Sequence, residues 1–199
     1  YDSIPGDEEW RIEMRDKATG KLVRIWTYNP TKYDDRLTGC VVVNNRLYAI
    51  GTAGLRRWAI LMFDLNLTLL KSDYGEPRDI IALPRGITTD GKYIYITGID
   101  ERDRNYELRV EKRDLNLTLV KVYMKGKTIG LAIGLNKITG NIWVVGEGEN
   151  RGISLWIFDR DLNNIASTNI SVRATVIPLG IVFDELGNGY LYGFGVIIK

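Results

Sequence analysis

The chain contains no histidine and no glutamine, and only one cysteine and three methionines. Without histidine the commonest general base and metal ligand is missing. Neither a Ser–His nor a Cys–His nucleophile can be assembled. One cysteine cannot close an intrachain disulfide. Cys40 opens the apolar run Cys40-Val41-Val42-Val43, so a buried, inert thiol is expected rather than a nucleophile. Every apolar run is interrupted well before 18 residues, which excludes a helical membrane span. An excess of charge is also lacking: 27 Lys+Arg against 25 Asp+Glu leave +2. That balance argues against nucleic acid or an anionic membrane as partner. Few thermolabile residues beside 26% charged ones make a thermophile-like composition. The chain starts at Tyr1 rather than Met, as a processed or trimmed chain would.

What is present is a repeat. Four segments align: Trp10-Arg-Ile-Glu-Met-Arg-Asp16, Trp58-Ala-Ile-Leu-Met-Phe-Asp64, Leu108-Arg-Val-Glu-Lys-Arg-Asp114 and Leu155-Trp-Ile-Phe-Asp-Arg-Asp161. Their closing aspartates are 48, 50 and 47 residues apart. Each can accept a backbone N–H two residues on and so start a turn. Period-two alternation, as in Trp10, Ile12 and Met14 against Arg11, Glu13 and Arg15, marks strands. A second unit alternates with the first and begins at Gly39, Gly86, Gly130 and Gly180. It reads strand, polar turn, strand, with Asn44-Asn45, Asp90-Gly91, Thr139-Gly140-Asn141 and Gly187-Asn188-Gly189 at the turns.

Four strands in about 48 residues is the size of one propeller blade. The segment Pro84-Arg-Gly-Ile-Thr-Thr-Asp-Gly-Lys-Tyr-Ile-Tyr-Ile-Thr-Gly98, with a partial echo at Pro178-Leu-Gly-Ile-Val-Phe-Asp184, resembles β-propeller repeats of the YVTN and NHL kind. The expected fold is therefore all-β: a propeller of about four blades, each of four antiparallel strands a to d. Residues 1–199 form a single domain, with 1–8 as an N-terminal extension. The phase of the repeat puts an outer c–d hairpin at 9–28 and an inner a–b hairpin at 180–198. Pairing these two would close the ring and protect its edges. Part of a larger propeller, or half of an eight-bladed dimer, is the competing arrangement. Trp10, Trp58, Trp143 and Trp156 are expected in the gaps between blades, with Trp26 half-exposed.

In propellers the d–a and b–c connections share one rim. Here that rim carries Tyr33, Asp34, Asp35, Arg36, Arg56, Arg57, Arg85, Asp100, Arg102, Glu147 and Arg151 as binding candidates. Asp64-Leu-Asn66-Leu-Thr68 and Asp114-Leu-Asn116-Leu-Thr118 open like a calcium loop. Leucine stands where that loop needs its glycine, so a structural turn is expected and no metal site. Asn66, Asn116 and Asn169 sit in N-x-S/T sequons, which point to a glycosylated chain at the cell surface or outside the cell. A cytoplasmic location stays open. No residue pattern implies a cofactor, and no catalytic residue is assigned. The expected function is a non-enzymatic binding or scaffold domain that holds a protein, a glycan or a copy of itself on the rim. The alternatives are a hydrolase or lyase using rim carboxylates, Arg and Tyr, and a subunit of a homopolymer.

Overall fold

A computed structural model describes residues 8–29, 31, 33, 35–54, 56–75, 81–102, 105–148, 152–170 and 177–194. Every regular element among them is a strand. A hairpin comes first, β1 (Trp10–Arg15) and β2 (Leu22–Tyr28). Three four-stranded antiparallel sheets follow. The first holds β3 (Leu37–Val43), β4 (Arg46–Thr52), β5 (Trp58–Asp64) and β6 (Leu69–Tyr74). The second holds β7 (Ala82–Thr89), β8 (Tyr93–Arg102), β9 (Asn105–Asp114) and β10 (Leu119–Gly126). The third holds β11 (Ile129–Leu135), β12 (Ile142–Glu147), β13 (Ile153–Phe158) and β14 (Asn164–Ile170). A last hairpin, β15 (Ile177–Phe183) and β16 (Gly189–Phe194), completes the described chain. In each four-stranded sheet sequence neighbours pair, which is blade topology.

The turns explain why the chain reverses where it does. Asp64 Oδ1 accepts the N–H groups of Asn66 and Thr68 at 2.9 and 2.8 Å. Asp114 does the same for Asn116 and Thr118, both at 2.8 Å. The third copy falls on Asp159, which accepts from Asp161 and Asn163 at 2.8 and 2.9 Å. Asp161 was the expected turn residue. It is instead an exposed partner of Lys112, whose Nζ lies 2.7 Å away. The aspartate spacing is thus 48, 50 and 45, because Arg160 and Asp161 belong to the turn and not to the strand. Three residues after each aspartate stands a leucine in the left-handed region: Leu67, Leu117 and Leu162 at φ 58°, 68° and 54°. That conformation costs a leucine about 1–2 kcal/mol. All three side chains are buried between blades, and burying a leucine returns about 1.5–3 kcal/mol.

The core is four apolar seams between successive sheets. Trp10, Ile12, Leu47, Leu61 and Phe63 join the first hairpin to the first blade. Tyr48, Ile50, Trp58, Ile60, Ile94 and Ile96 join blades one and two. Tyr95, Val110, Ile133, Val144, Trp156 and Phe158 join blades two and three. Val145, Ile153, Leu155 and Leu191 join blade three to the last hairpin. Trp10, Trp58 and Trp156 are buried as expected, and Trp143 and Trp26 are half-buried.

Two bonds repeat across the seams. Trp10 Nε1 donates to the Thr52 carbonyl at 2.9 Å, and Trp58 Nε1 to the Ile99 carbonyl at 3.1 Å. The rings lie over Gly51 and Gly98, where a Cβ would strike both the indole and a backbone carbonyl. Tyr48 donates to the Leu115 carbonyl at 2.7 Å, and Tyr95 to the Arg160 carbonyl at 2.9 Å. Each acceptor is the residue after a turn aspartate.

The fold class is as expected, with four blades' worth of strands. The closing ladder is different. Among the described residues β1–β2 and β15–β16 are two separate two-stranded sheets. The reason lies in the packing. β1 docks by Trp10 and Ile12 on the outer face of blade one, while β16 docks by Leu191 on the far face of blade three. Inner strands β3, β7, β11 and β15 follow one another in contact, and β15 has no comparable packing against β3 among the described residues. Cys40 is a second correction: it is exposed, not buried. It pairs with Ala49 as Ile87 pairs with Ile96. Ile87 packs against the preceding blade, whereas among the described residues no inner half-blade packs over Cys40.

Candidate binding cleft

A cleft of about 480 Å³ opens between blades two and three. Its floor is aliphatic: Ile81, Leu83, Ile99 and Ile129. Around it stand Arg85, Asn105, Tyr106, Lys127, Thr128, Glu147 and Gly148. The β8–β9 hairpin builds one wall, because its two ten-residue strands run past the end of the sheet. The Lys127 N–H donates to the Tyr106 carbonyl at 2.8 Å, pinning the β10–β11 turn to that wall. Thr128 Oγ1 donates to the Lys125 carbonyl at 2.9 Å and is buried. Arg85 is on strand β7 rather than in a loop. Partial burial of its guanidinium, and then the charge of Arg36, hold it below the ordinary arginine value. Glu101, which pairs across the ladder with Tyr106, is buried, and its Oε2 has no hydrogen-bond partner among the described residues.

The rim candidates separate into three groups. Arg85 and Glu147 line this cleft. Tyr33, Arg36, Arg56 and Arg57 are exposed at the blade-one end, and Arg36 is ion-paired with Glu8. Asp35 and Asp100 are structural. Asp35 is buried, accepting the Gly54 N–H at 2.7 Å and the Thr31 N–H at 3.0 Å. Asp100 is buried against Arg109 at 2.8 Å. The backbone of Arg102 ends β8. Asp34 and Arg151 lie outside the described residues.

Sequence reasoning missed the largest charged cluster. Arg109 binds Asp100 and Glu111, and Glu111 also binds Arg113 at 2.5 Å. Arg113 reaches across to Asp73 of blade one and to the Leu117 carbonyl. Arg109 also covers the Trp58 ring, 5.2 Å from its centroid. Burial would depress the Arg109 guanidinium, but Glu111 and Asp100 raise it overall. In sequence this stretch reads as the solvent face of an alternating strand. The clue was the register: Arg109, Glu111 and Arg113 occupy the places of Ala59, Leu61 and Phe63.

The fold defines the protein as an all-β propeller-type protein. No family model matches the chain, and no curated protein does. Among solved structures, "Dihydro-heme d1 dehydrogenase NirN in complex with DHE", a propeller protein, superposes with a TM-score of 0.57 at 14% identity. The match covers 98% of this chain and 41% of that one, so the chain spans less than half of its structural neighbour. The YVTN and NHL resemblance thus holds at the level of the propeller fold. No helix among the described residues is long and apolar enough to cross a membrane, which says nothing of strands.

Proposed function

We propose that the protein is a binding domain and that the cleft between blades two and three holds an extended acidic peptide of a partner protein. One observation carries this: an aliphatic floor flanked by two cations, Arg85 and Lys127, with Tyr106 and Glu147 at the mouth. Aliphatic floors take apolar side chains, and a few placed polar groups fix orientation. A sugar site would favour aromatic platforms, and Tyr106 is the aromatic among the lining residues. A glycoside hydrolase of the carboxylate-pair kind needs two converging carboxylates, whereas Glu147 is the carboxylate among those residues.

The test is a peptide array and a glycan array probed with the full chain. Peptides joining an acidic residue to an aliphatic one are expected to bind, with about tenfold loss in Arg85→Ala or Tyr106→Ala. Glycan binding alone, or peptide binding unchanged by Arg85→Ala with Lys127→Ala, overturns the proposal. The same reading puts the protein outside the cell, where Asn66 and Asn116 stand on exposed turns. Deglycosylation of the natively produced chain is expected to lower its mass.

A further inference from the structure

We propose that the peptide held in the cleft carries an acidic, an aliphatic and a basic residue at alternate positions, and that Glu101 receives the basic one. This rests on the acidic-peptide reading above and adds a second charged subsite to it. Four carboxylates are buried among the described residues: Asp35, Asp100, Glu101 and Glu111. Three of them are bonded. Asp35 accepts the Gly54 and Thr31 N–H groups, Asp100 binds Arg109, and Glu111 lies between Arg109 and Arg113. Glu101 is 4% exposed, and its Oε2 has no hydrogen-bond partner among the described residues. Buried polar groups are bonded with few exceptions, because an unpaired one gives up water and gains nothing in return. A carboxylate kept in that state suits a donor that arrives from outside the chain.

The register puts Glu101 at the cleft. Successive residues of a strand point to opposite faces. Asp100 is on the blade-one face, where Arg109 meets it, so Glu101 is on the blade-three face. Its neighbours there are Ile99 on its own strand, Tyr106 directly opposite on β9, and Ile81, whose carbonyl accepts the Glu101 N–H at 3.0 Å. All three line the cleft. Arg85 lines it four residues along the chain from Ile81, about 13 Å of extended backbone, in the bulge between Pro84 and Gly86. Leu83 and Ile99, paired with one another, lie midway between the two levels.

An extended peptide rises by the same step as the strand beside it, so its residues i, i+2 and i+4 face the cleft together. The acidic side chain at i meets Arg85, the aliphatic one at i+2 rests on Leu83 and Ile99, and the basic one at i+4 reaches Glu101. The charges are distributed to match. The charged side chain acting on the Arg85 guanidinium is another cation, Arg36, so that end attracts an anion. At the other end Lys127 is held at the level of Tyr106, and Glu147 pairs with Ile129, two residues further on. Counting Glu101, two carboxylates stand there against one ammonium group. Tyr106 is 48% exposed and has room to swing outward, which uncovers the carboxylate opposite it for an incoming ammonium or guanidinium group.

The experiment measures binding of synthetic peptides to the full chain by fluorescence anisotropy. The first peptide has Glu, Leu and Lys at alternate positions, the second Glu, Leu and Gln, and the third Gln, Leu and Lys. The first is expected to bind about tenfold or more tightly than the second, as a charge-assisted hydrogen bond provides. In Glu101→Gln that preference should vanish, and in Arg85→Ala the preference for the first over the third should vanish. Glu101→Gln is also expected to keep or raise the melting temperature, since it removes a buried charge and breaks no bond. Equal binding of the first two peptides overturns the Glu101 subsite and leaves the acidic-peptide reading standing, whereas binding of none overturns both. A preference for Lys that survives Glu101→Gln, or a melting temperature lowered by that substitution, overturns the subsite as well. The first result would place the basic residue elsewhere, and the second would show that Glu101 serves the fold.

Discussion

The seam between blades one and two differs from the seam between the first hairpin and blade one, although the same strand positions build both. Facing the hairpin, β5 presents Ala59, Leu61 and Phe63. Facing blade one, β9 presents Arg109, Glu111 and Arg113, tied to Asp100 and Asp73. The third blade returns to Trp156 and Phe158 at these places. A propeller seam therefore needs a filled volume more than a given polarity. Buried ions there must be fully paired, since desolvating each costs several kcal/mol. Here the pairing is provided by three carboxylates, Asp73, Asp100 and Glu111, and the two guanidinium groups of Arg109 and Arg113 within one seam.

The largest expected effect comes from unbalancing the ionic seam. Glu111→Ala leaves Arg113 and Arg109 short of their shared partner and should cost about 3–5 kcal/mol. Converting the seam to its apolar counterpart, with Asp100→Ala, Arg109→Ala, Glu111→Leu and Arg113→Phe together, should be neutral or stabilising by about 1–4 kcal/mol. Urea unfolding of both variants checks the pair. A quadruple variant less stable than Glu111→Ala would mean that this seam specifically requires charge.

Steric closeness comes next. Gly98→Ala drives a methyl group into the Leu83 carbonyl and the Trp58 ring, for an expected loss of about 1–3 kcal/mol. Gly91 has open space around it but φ of 90°, so Gly91→Ala tests strain without contact. Comparing their melting temperatures separates crowding from backbone conformation.

A smaller effect is expected at the turn leucines. Leu117→Gly relieves a left-handed φ worth about 1–2 kcal/mol but forfeits burial worth about 1.5–3 kcal/mol. A net loss near 1 kcal/mol is expected in the same unfolding assay, and a gain would show that strain outweighs packing.

The smallest effect is electrostatic. The backbone N–H of Thr68 foremost lowers the Asp64 carboxyl, and the Asn188 side chain foremost lowers Asp184. A carboxyl depressed in the folded state contributes stability that is complete above its unfolded value, about 3.9. That contribution is lost as pH falls through the lower folded value. Urea midpoints should therefore be insensitive to these turns near neutrality and decline below about pH 4. Asp64→Asn, which can still accept a hydrogen bond, should flatten part of that decline.

How much of this was legible in the chain varies by element. The hairpin turns were, because Asn44-Asn45, Asp90-Gly91 and the Asp-x-Asn-Leu-Thr segments carry their geometry locally. So were Trp10, Trp58 and Trp156 as core, since they lie on apolar alternations. Arg85 and Glu147 were found as rim residues, yet Tyr106 and Lys127 were missed. Nothing local distinguishes those two from solvated charge and aromatics, and only the blade-two to blade-three seam brings them to one cleft.

The sequence by itself determined the strand, its turn and the repeat, because backbone hydrogen bonds within a hairpin depend on neighbours a few residues away. It could not determine that Asp159 rather than Asp161 takes the turn. Both sit in Phe-Asp-Arg-Asp, and the choice follows from burying Leu162 against blade two. Nor could it determine that Cys40 is exposed or that β1 and β16 stay apart. Those outcomes depend on the angle at which successive sheets pack. That angle is set by side chains such as Trp10 over Gly51 and Arg109 over Trp58, whose contacts join residues more than forty positions apart.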